Sequence, residues 1–151
     1  MLKIVNGDLF EANVEAVVNP VNTVGIMGAG LALQFKNKFP NNFKSYQAAC
    51  NSGDVQTGKM FVYNLGVTAH PKLIINFPTK QHWKDPSEMS YIEDGLTDLL
   101  KVINYYNIKS IAIPALGSGL GGLKWSEVLA KIEYAFKDLL QIEVLVFPPQ
   151  I

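Results

Sequence analysis

The sequence contains no arginine: all thirteen basic residues among the 151 are lysines. Bidentate guanidinium recognition of phosphate, carboxylate or guanine is therefore excluded. Any phosphate bound here must be held by backbone N–H groups, helix N-termini and lysine. Thirteen acidic residues balance the lysines, so no basic field exists that would hold a nucleic-acid duplex by its phosphates alone. A single cysteine, Cys50, excludes an internal disulfide and a cysteine-based zinc site. Two histidines, His70 and His82, are too few for a histidine-based one, so no metal is expected. No apolar run approaches the roughly 18 residues of a membrane-spanning helix, and the apolar start of the chain breaks at Asn6-Gly7-Asp8, unlike a signal peptide. A reducing, cytoplasmic compartment is the expectation.

Apolar residues make up 48% of the chain and charged ones 17%, which excludes wholesale disorder. The length suits one domain, taken as residues 1–151, with a core that buries roughly two thirds of the unfolded chain's surface. No repeat or interior linker interrupts it; only Pro148-Pro149 reads as the start of one.

Short apolar runs at 2–5, 15–19, 59–65, 73–77, 111–116 and 142–147 read as strands. Pro20 is expected to close the second of them. Helical spacing marks 31–39, 43–50, a segment from about Ser90 to Tyr106, and 125–140, with Pro40 ending the first. Ser90-Tyr91-Ile92-Glu93 has capping-box spacing, and Ser87 is a rival N-cap. Strands alternating with helices predict a three-layer α/β/α sandwich around a mixed sheet of about six strands. Ligands of such sheets sit at the carboxyl ends of the strands.

Two glycine-rich loops fall at such ends. The first, Asn22-Thr23-Val24-Gly25-Ile26-Met27-Gly28-Ala29-Gly30, opens the helix that begins with Leu31. The second is Gly117-Ser118-Gly119-Leu120-Gly121-Gly122. Glycine lets backbone approach a ligand and turn N–H groups inward, and a helix N-terminus adds partial positive charge. One such loop is often a simple turn; two in one small domain can embrace a pyrophosphate from both sides. Neither matches a Walker A loop, and the Rossmann fingerprint is absent from its usual place.

Asn6-Gly7-Asp8-Leu9, Val18-Asn19-Pro20-Val21-Asn22 and Ile113-Pro114-Ala115-Leu116-Gly117-Ser118-Gly119 together resemble the macrodomain family, across nearly the whole chain. Asn76-Phe77-Pro78-Thr79-Lys80-Gln81-His82-Trp83, with Gly119-Leu120-Gly121-Gly122-Leu123, narrows the resemblance to the macrodomains of DarG antitoxins. That resemblance implies an ADP-ribosyl glycohydrolase that removes ADP-ribose from thymidine in single-stranded DNA and reverses a DarT-type toxin. The implied protein is a monomer with no cofactor, ADP-ribose being ligand or product.

By the same resemblance, Asp8 accepts a hydrogen bond from the adenine amino group, with Leu9 adding a backbone contact and Phe147 an aromatic one. Gly28, Gly30 and Leu31 of loop one and Gly117, Ser118, Gly119, Leu120 and Gly121 of loop two hold the diphosphate. Asn22 stands beside the distal ribose and is, with Lys80, a catalytic candidate; Lys80 is the catalytic lysine, acting either as nucleophile or as a stabiliser of the leaving base. His82 and Trp83 are candidate DNA contacts, Trp83 by stacking on a base. One departure stands out: related lysine-using macrodomains carry an Asp in loop two where this chain has Gly121. Two other readings stay open: hydrolysis of ADP-ribose from protein carboxylates or small acyl esters, and binding of ADP-ribose without turnover.

Overall fold

The computed structural model describes residues 1–150. Its strands are β1 (Leu2–Ile4), β2 (Ala16–Val21), β3 (Phe61–Asn64), β4 (Leu73–Pro78), β5 (Ser110–Ile113) and β6 (Glu143–Val146). The helices are α1 (Gly30–Lys38), α2 (Pro40–Asn51), α3 (Met89–Tyr106) and α4 (Trp125–Phe136). The strands form one sheet in the order β1-β6-β5-β2-β4-β3, parallel except for the edge strand β3.

Alternation along the strands sorts the core into two layers. Ala16, Val18, Leu73, Ile75, Phe77, Ile111 and Ile113 pack against Ile92, Leu96, Leu99 and Ile103 of α3 and Val128, Ile132 and Phe136 of α4. On the other face Val17, Ile74 and Ala112 meet Phe35 of α1, and Val21 meets Tyr46 of α2. The expected three-layer sandwich is thus the one observed. Gly95 lets α3 lie directly on β4: a Cβ there would stand 2.3 Å from Phe77 Cζ.

Four local expectations are corrected. Pro20 lies inside β2 rather than closing it. The ladder between β2 and β5 ends at Val17–Ala112, while β2 stays paired with β4 through Val21. The Val21 carbonyl accepts from Thr79 N–H, so Val21 turns its polar groups toward β4 and Pro20, one residue earlier, turns away from it. Its missing N–H then costs no ladder bond. Pro40 does more than end α1: it occupies the first turn of α2, where an absent N–H is harmless. Neither serine caps α3, whose N-cap is Glu88 without a side-chain bond. Finally, α4 stops at Phe136, short of Leu140.

The strand read as nearly all apolar also carries a buried polar cluster. Asn76 lies beside Asn19 in the parallel register, and Asn19 Nδ2 donates to Asn76 Oδ1 at 3.0 Å. Asn42 of α2 exchanges hydrogen bonds with Asn76, and Asn76 Nδ2 also reaches the Phe61 carbonyl at 3.0 Å. Among the described residues Asn19 Oδ1 is left without a partner, but the two-way pairing of Asn42 with Asn76 fixes how α2 sits over the sheet.

Candidate functional site

The strand order reverses between β2 and β5. After β2 the chain builds toward β4 and β3; after β5 it builds toward β6 and β1. A crevice opens at the carboxyl end of such a switch point. Here it is a cavity of about 1070 Å³.

Asn22 builds loop one. It is buried, and its Nδ2 donates to the Ile26 carbonyl at 2.7 Å while its Oδ1 accepts from Val24 N–H at 3.1 Å. The Tyr46 hydroxyl stands 2.7 Å from Asn22 Oδ1 and 2.8 Å from its backbone carbonyl. Burial raises the Tyr46 phenol far above its ordinary range, so it remains a donor. Burial also pushes the neighbouring Cys50 thiol up, against a smaller opposing effect of hydrogen bonds to Tyr46 and Gly25, which removes thiolate chemistry from this corner.

The loop then delivers α1 with a bare N-terminus. Its N-cap, Ala29, has no side chain able to cap. The first-turn N–H groups of Gly30, Leu31 and Ala32, whose residues line the cavity, are therefore left for a ligand. Gly30 takes φ +58°, a left-handed value that a side chain resists. Loop two faces it across the cavity. Leu120, 73% exposed, reaches over so closely that a Cβ on Gly30 would lie 3.4 Å from its Cδ1. Among the described residues, the N–H groups of Gly119 and Leu120 find no acceptor within the protein.

Asp8 closes one end of the cavity beside Gly7, Leu9 and Phe147. Its Oδ1 accepts from Phe10 N–H at 2.9 Å and so caps the single turn Leu9–Glu11. Its second oxygen has no partner in the protein among the described residues. Capping the turn thus occupies one oxygen of the carboxylate and leaves the other without a partner among the described residues.

The other end belongs to the segment after β4. Thr79 N–H donates to Val21 O at 2.9 Å, and Thr23 donates to Gln81 O through both N–H and Oγ1, each at 2.9 Å. These bonds tie the segment to loop one. Lys80 lines the cavity and is half-buried, with Nζ donating to the Trp83 carbonyl at 3.3 Å. Trp83, 47% exposed, lines the rim with Lys84, whose ammonium lies 5.0 Å from the indole centroid. At its far end the segment reaches loop two, where Ser87 N–H donates to the Gly121 carbonyl at 2.9 Å. A Cβ on Gly121 would stand 2.3 Å from Ser87 Oγ and 2.6 Å from the Gly117 carbonyl. That crowding excludes a loop-two acid at this position in this backbone.

The cavity wall therefore gathers Asp8, Leu9, Asn22, Gly28, Gly30, Leu31, Lys80, Trp83, Gly117, Gly119, Leu120, Gly121 and Phe147. Ser118 and His82 are outside it. The Ser118 hydroxyl is turned to the Leu116 carbonyl at 3.2 Å, and the His82 ring stacks on Trp83 while its Nδ1 accepts from Lys84 N–H. Sequence reasoning missed Thr79, Asp85, Pro86, Gln34 and Gln150, which also line the wall. Position in a loop adjoining Lys80 was the available signal for Thr79 and Asp85; Gln150, which donates to the Gly7 carbonyl at 3.2 Å, had none.

A crevice at this switch point, flanked by two glycine loops and an uncapped helix, is the setting of a ligand-binding α/β fold, and the macro domain family model matches residues 18–132. The chain belongs to the macro domain family. Within that family its likeness runs to the DarG group. It is similar to the macrodomain of Mycobacterium tuberculosis DarG, at 49% identity and TM-score 0.97 over 99% of each chain. It is 53% identical over 149 residues to a Thermus aquaticus protein named DNA ADP-ribosyl glycohydrolase, covering 99% of this chain and 41% of that one. The Thermosipho africanus DarTG structure, in complex with ADP-ribose, aligns at 38% identity and TM-score 0.90 over 98% of this chain and 41% of that one. The chain spans about two fifths of the length of the curated DNA ADP-ribosyl glycohydrolases it matches.

Proposed function

We propose that this chain is a DNA ADP-ribosyl glycohydrolase that releases ADP-ribose from thymidine in single-stranded DNA. The supporting observation is the placement of Lys80 in the same cavity as Asp8, at its opposite end. The free Asp8 oxygen takes the adenine amino group, and Phe147 packs beside the ring. The N–H groups of loops one and two take the diphosphate without any arginine. This order leaves the distal ribose and its linked base at the end that holds Lys80 and Trp83.

In this reading Lys80 acts as an ammonium. A nucleophilic lysine needs a desolvated pocket or an adjacent cation, whereas this side chain is half exposed and bonded to a carbonyl. The ammonium stabilises negative charge developing on the departing thymine, a role that is largest in the transition state. Trp83 stacks on the base or its neighbour. Asn22, whose amide is consumed in shaping loop one, positions that loop rather than reacting.

The physiological counterpart is the product of a DarT-type toxin, and the cytoplasm is the compartment we assign. Incubation with an oligonucleotide carrying ADP-ribosyl-thymidine, beside an ADP-ribosylated glutamate peptide, tests the assignment. Release from the oligonucleotide supports it. Release from the peptide alone replaces it with a carboxylate-ester hydrolase, and tight ADP-ribose binding without release from either replaces it with a binding module.

A further inference from the structure

The two glycine loops bring no ionisable side chain to the cavity. Loop one, Asn22–Gly30, and loop two, Gly117–Gly122, contain no Asp, Glu, His, Lys, Cys or Tyr. Among the described residues, the ionisable groups lining the cavity are four: Asp8, Lys80, Lys84 and Asp85. Hydrolysis of a glycosidic bond is commonly assisted by a carboxylate that takes a proton from the attacking water. Neither lysine suits that task as an ammonium. Asp8 is at the adenine end, on the loop after β1, four strand positions from β4.

Asp85 remains, and its placement fits. It belongs to the segment that carries Lys80, and its N–H donates to the His82 carbonyl at 3.0 Å in the turn that also presents the Trp83 carbonyl to Lys80 Nζ. Two residues on, Ser87 is bonded to Gly121 of loop two. Asp85 thus lies on the cavity wall between the turn that holds Lys80 and the contact of Ser87 with Gly121. The other charged or titratable groups around it are Lys80, His82 and Lys84 on its own segment and Glu88 and Tyr91 at the start of α3; loop two brings none.

We propose that Asp85 is the general base of the glycohydrolase reaction, a role that rests on the reading above. Water adds its oxygen to the anomeric carbon of the distal ribose and gives its proton to the Asp85 carboxylate. The bond from that carbon to the thymine nitrogen breaks, and its electron pair stays on the base, beside the Lys80 ammonium. A proton from Lys80 or solvent neutralises the base, and Asp85 returns its own to solvent. No oxidant, metal or covalent adduct enters.

Asp85→Asn keeps size and hydrogen bonding while removing the basic site. Turnover of the ADP-ribosyl-thymidine oligonucleotide is expected to fall on the order of 10²-fold or more, the usual contribution of a general base. Free ADP-ribose affinity, read by calorimetry, is expected to stay within about threefold, since the group acts in the transition state. The wild type is expected to show a rise of kcat with pH on the acid side, and the variant is expected to lack it. A variant that turns over at the wild-type rate with that acid limb intact overturns the role of Asp85 alone. A wild type that releases nothing from the oligonucleotide overturns the glycohydrolase reading and this role with it.

Discussion

Asp8 and Lys80 face one cavity from opposite ends. They follow β1 and β4, which β6, β5 and β2 separate. Four interstrand spacings of about 4.8 Å put the two strands roughly 19 Å apart. A ligand that touches both must be long, polar in the middle and different at its two ends. ADP-ribose has that form. The sheet itself is the ruler that places Asp8 and Lys80.

The two oxygens of Asp8 allow its cap and ligand roles to be separated. Asn caps as well as Asp, so Asp8→Asn should melt near the wild-type temperature. ADP-ribose binding should weaken by about 1.5–3 kcal/mol, the range of a hydrogen bond to a charged group. Calorimetry and a melting curve on the same sample check both halves; unchanged affinity removes Asp8 from the adenine end.

Two loop-two glycines should behave differently. A Cβ on Gly119 meets nothing within 4 Å, whereas one on Gly121 meets Ser87 Oγ and the Gly117 carbonyl. Gly119→Val should therefore retain the melting temperature and lose ADP-ribose binding, its branched side chain obstructing the cavity it lines. Gly121→Ala should lower the melting temperature first. Equal thermal behaviour of the two variants contradicts the packing described for Ser87.

Helix propensity favours Ala over Gly by about 1 kcal/mol, yet Gly95→Ala should destabilise. The added methyl collides with Phe77, which is fully buried beneath α3. Overpacking of this kind costs about 1–3 kcal/mol. Denaturant unfolding that shows a gain in stability contradicts the direct seating of α3 on β4.

Tyr46 should confer alkaline sensitivity. Its folded phenol is raised above the unfolded value near 10, so above that pH the unfolded chain releases a proton that the native chain keeps. Stability is then fully present below pH about 10 and falls as pH rises beyond it, by up to about 1.4 kcal/mol per pH unit. Tyr46→Phe should begin about 1–3 kcal/mol less stable, because Asn22 loses a buried donor. It should also lose less on going from pH 9 to pH 11; equal pH slopes contradict the linkage.

The strands and helices were legible because their apolar periods of 2 and 3.6 are local. The glycine loops were legible because Gly25, Gly28 and Gly30 follow β2, and Gly117, Gly119 and Gly121 follow β5. The failures share a cause in tertiary context. Pro20 reads as a breaker until β5 is known to part from β2 at Ala112. Ser87 reads as a helix cap until Gly121 packs against it. Asn76 reads as an exception in an apolar strand until Asn19 and Asn42 arrive from β2 and α2. Asp85, an unremarkable acid in a polar loop, gains meaning only when the fold brings it to the cavity that Lys80 lines.

The central claim is that Lys80 acts on the linked base while the rest of the cavity holds ADP-ribose. Lys80→Ala measures it most directly, assayed for release from ADP-ribosyl-thymidine in single-stranded DNA and, in parallel, for binding of free ADP-ribose. The account predicts a loss of turnover on the order of 10²-fold or more with affinity changed within a few-fold, and no adduct on Lys80 of the wild type after borohydride treatment. Wild-type turnover in Lys80→Ala would contradict the assignment of the lysine, and a borohydride-trapped adduct on Lys80 would contradict its role as an ammonium.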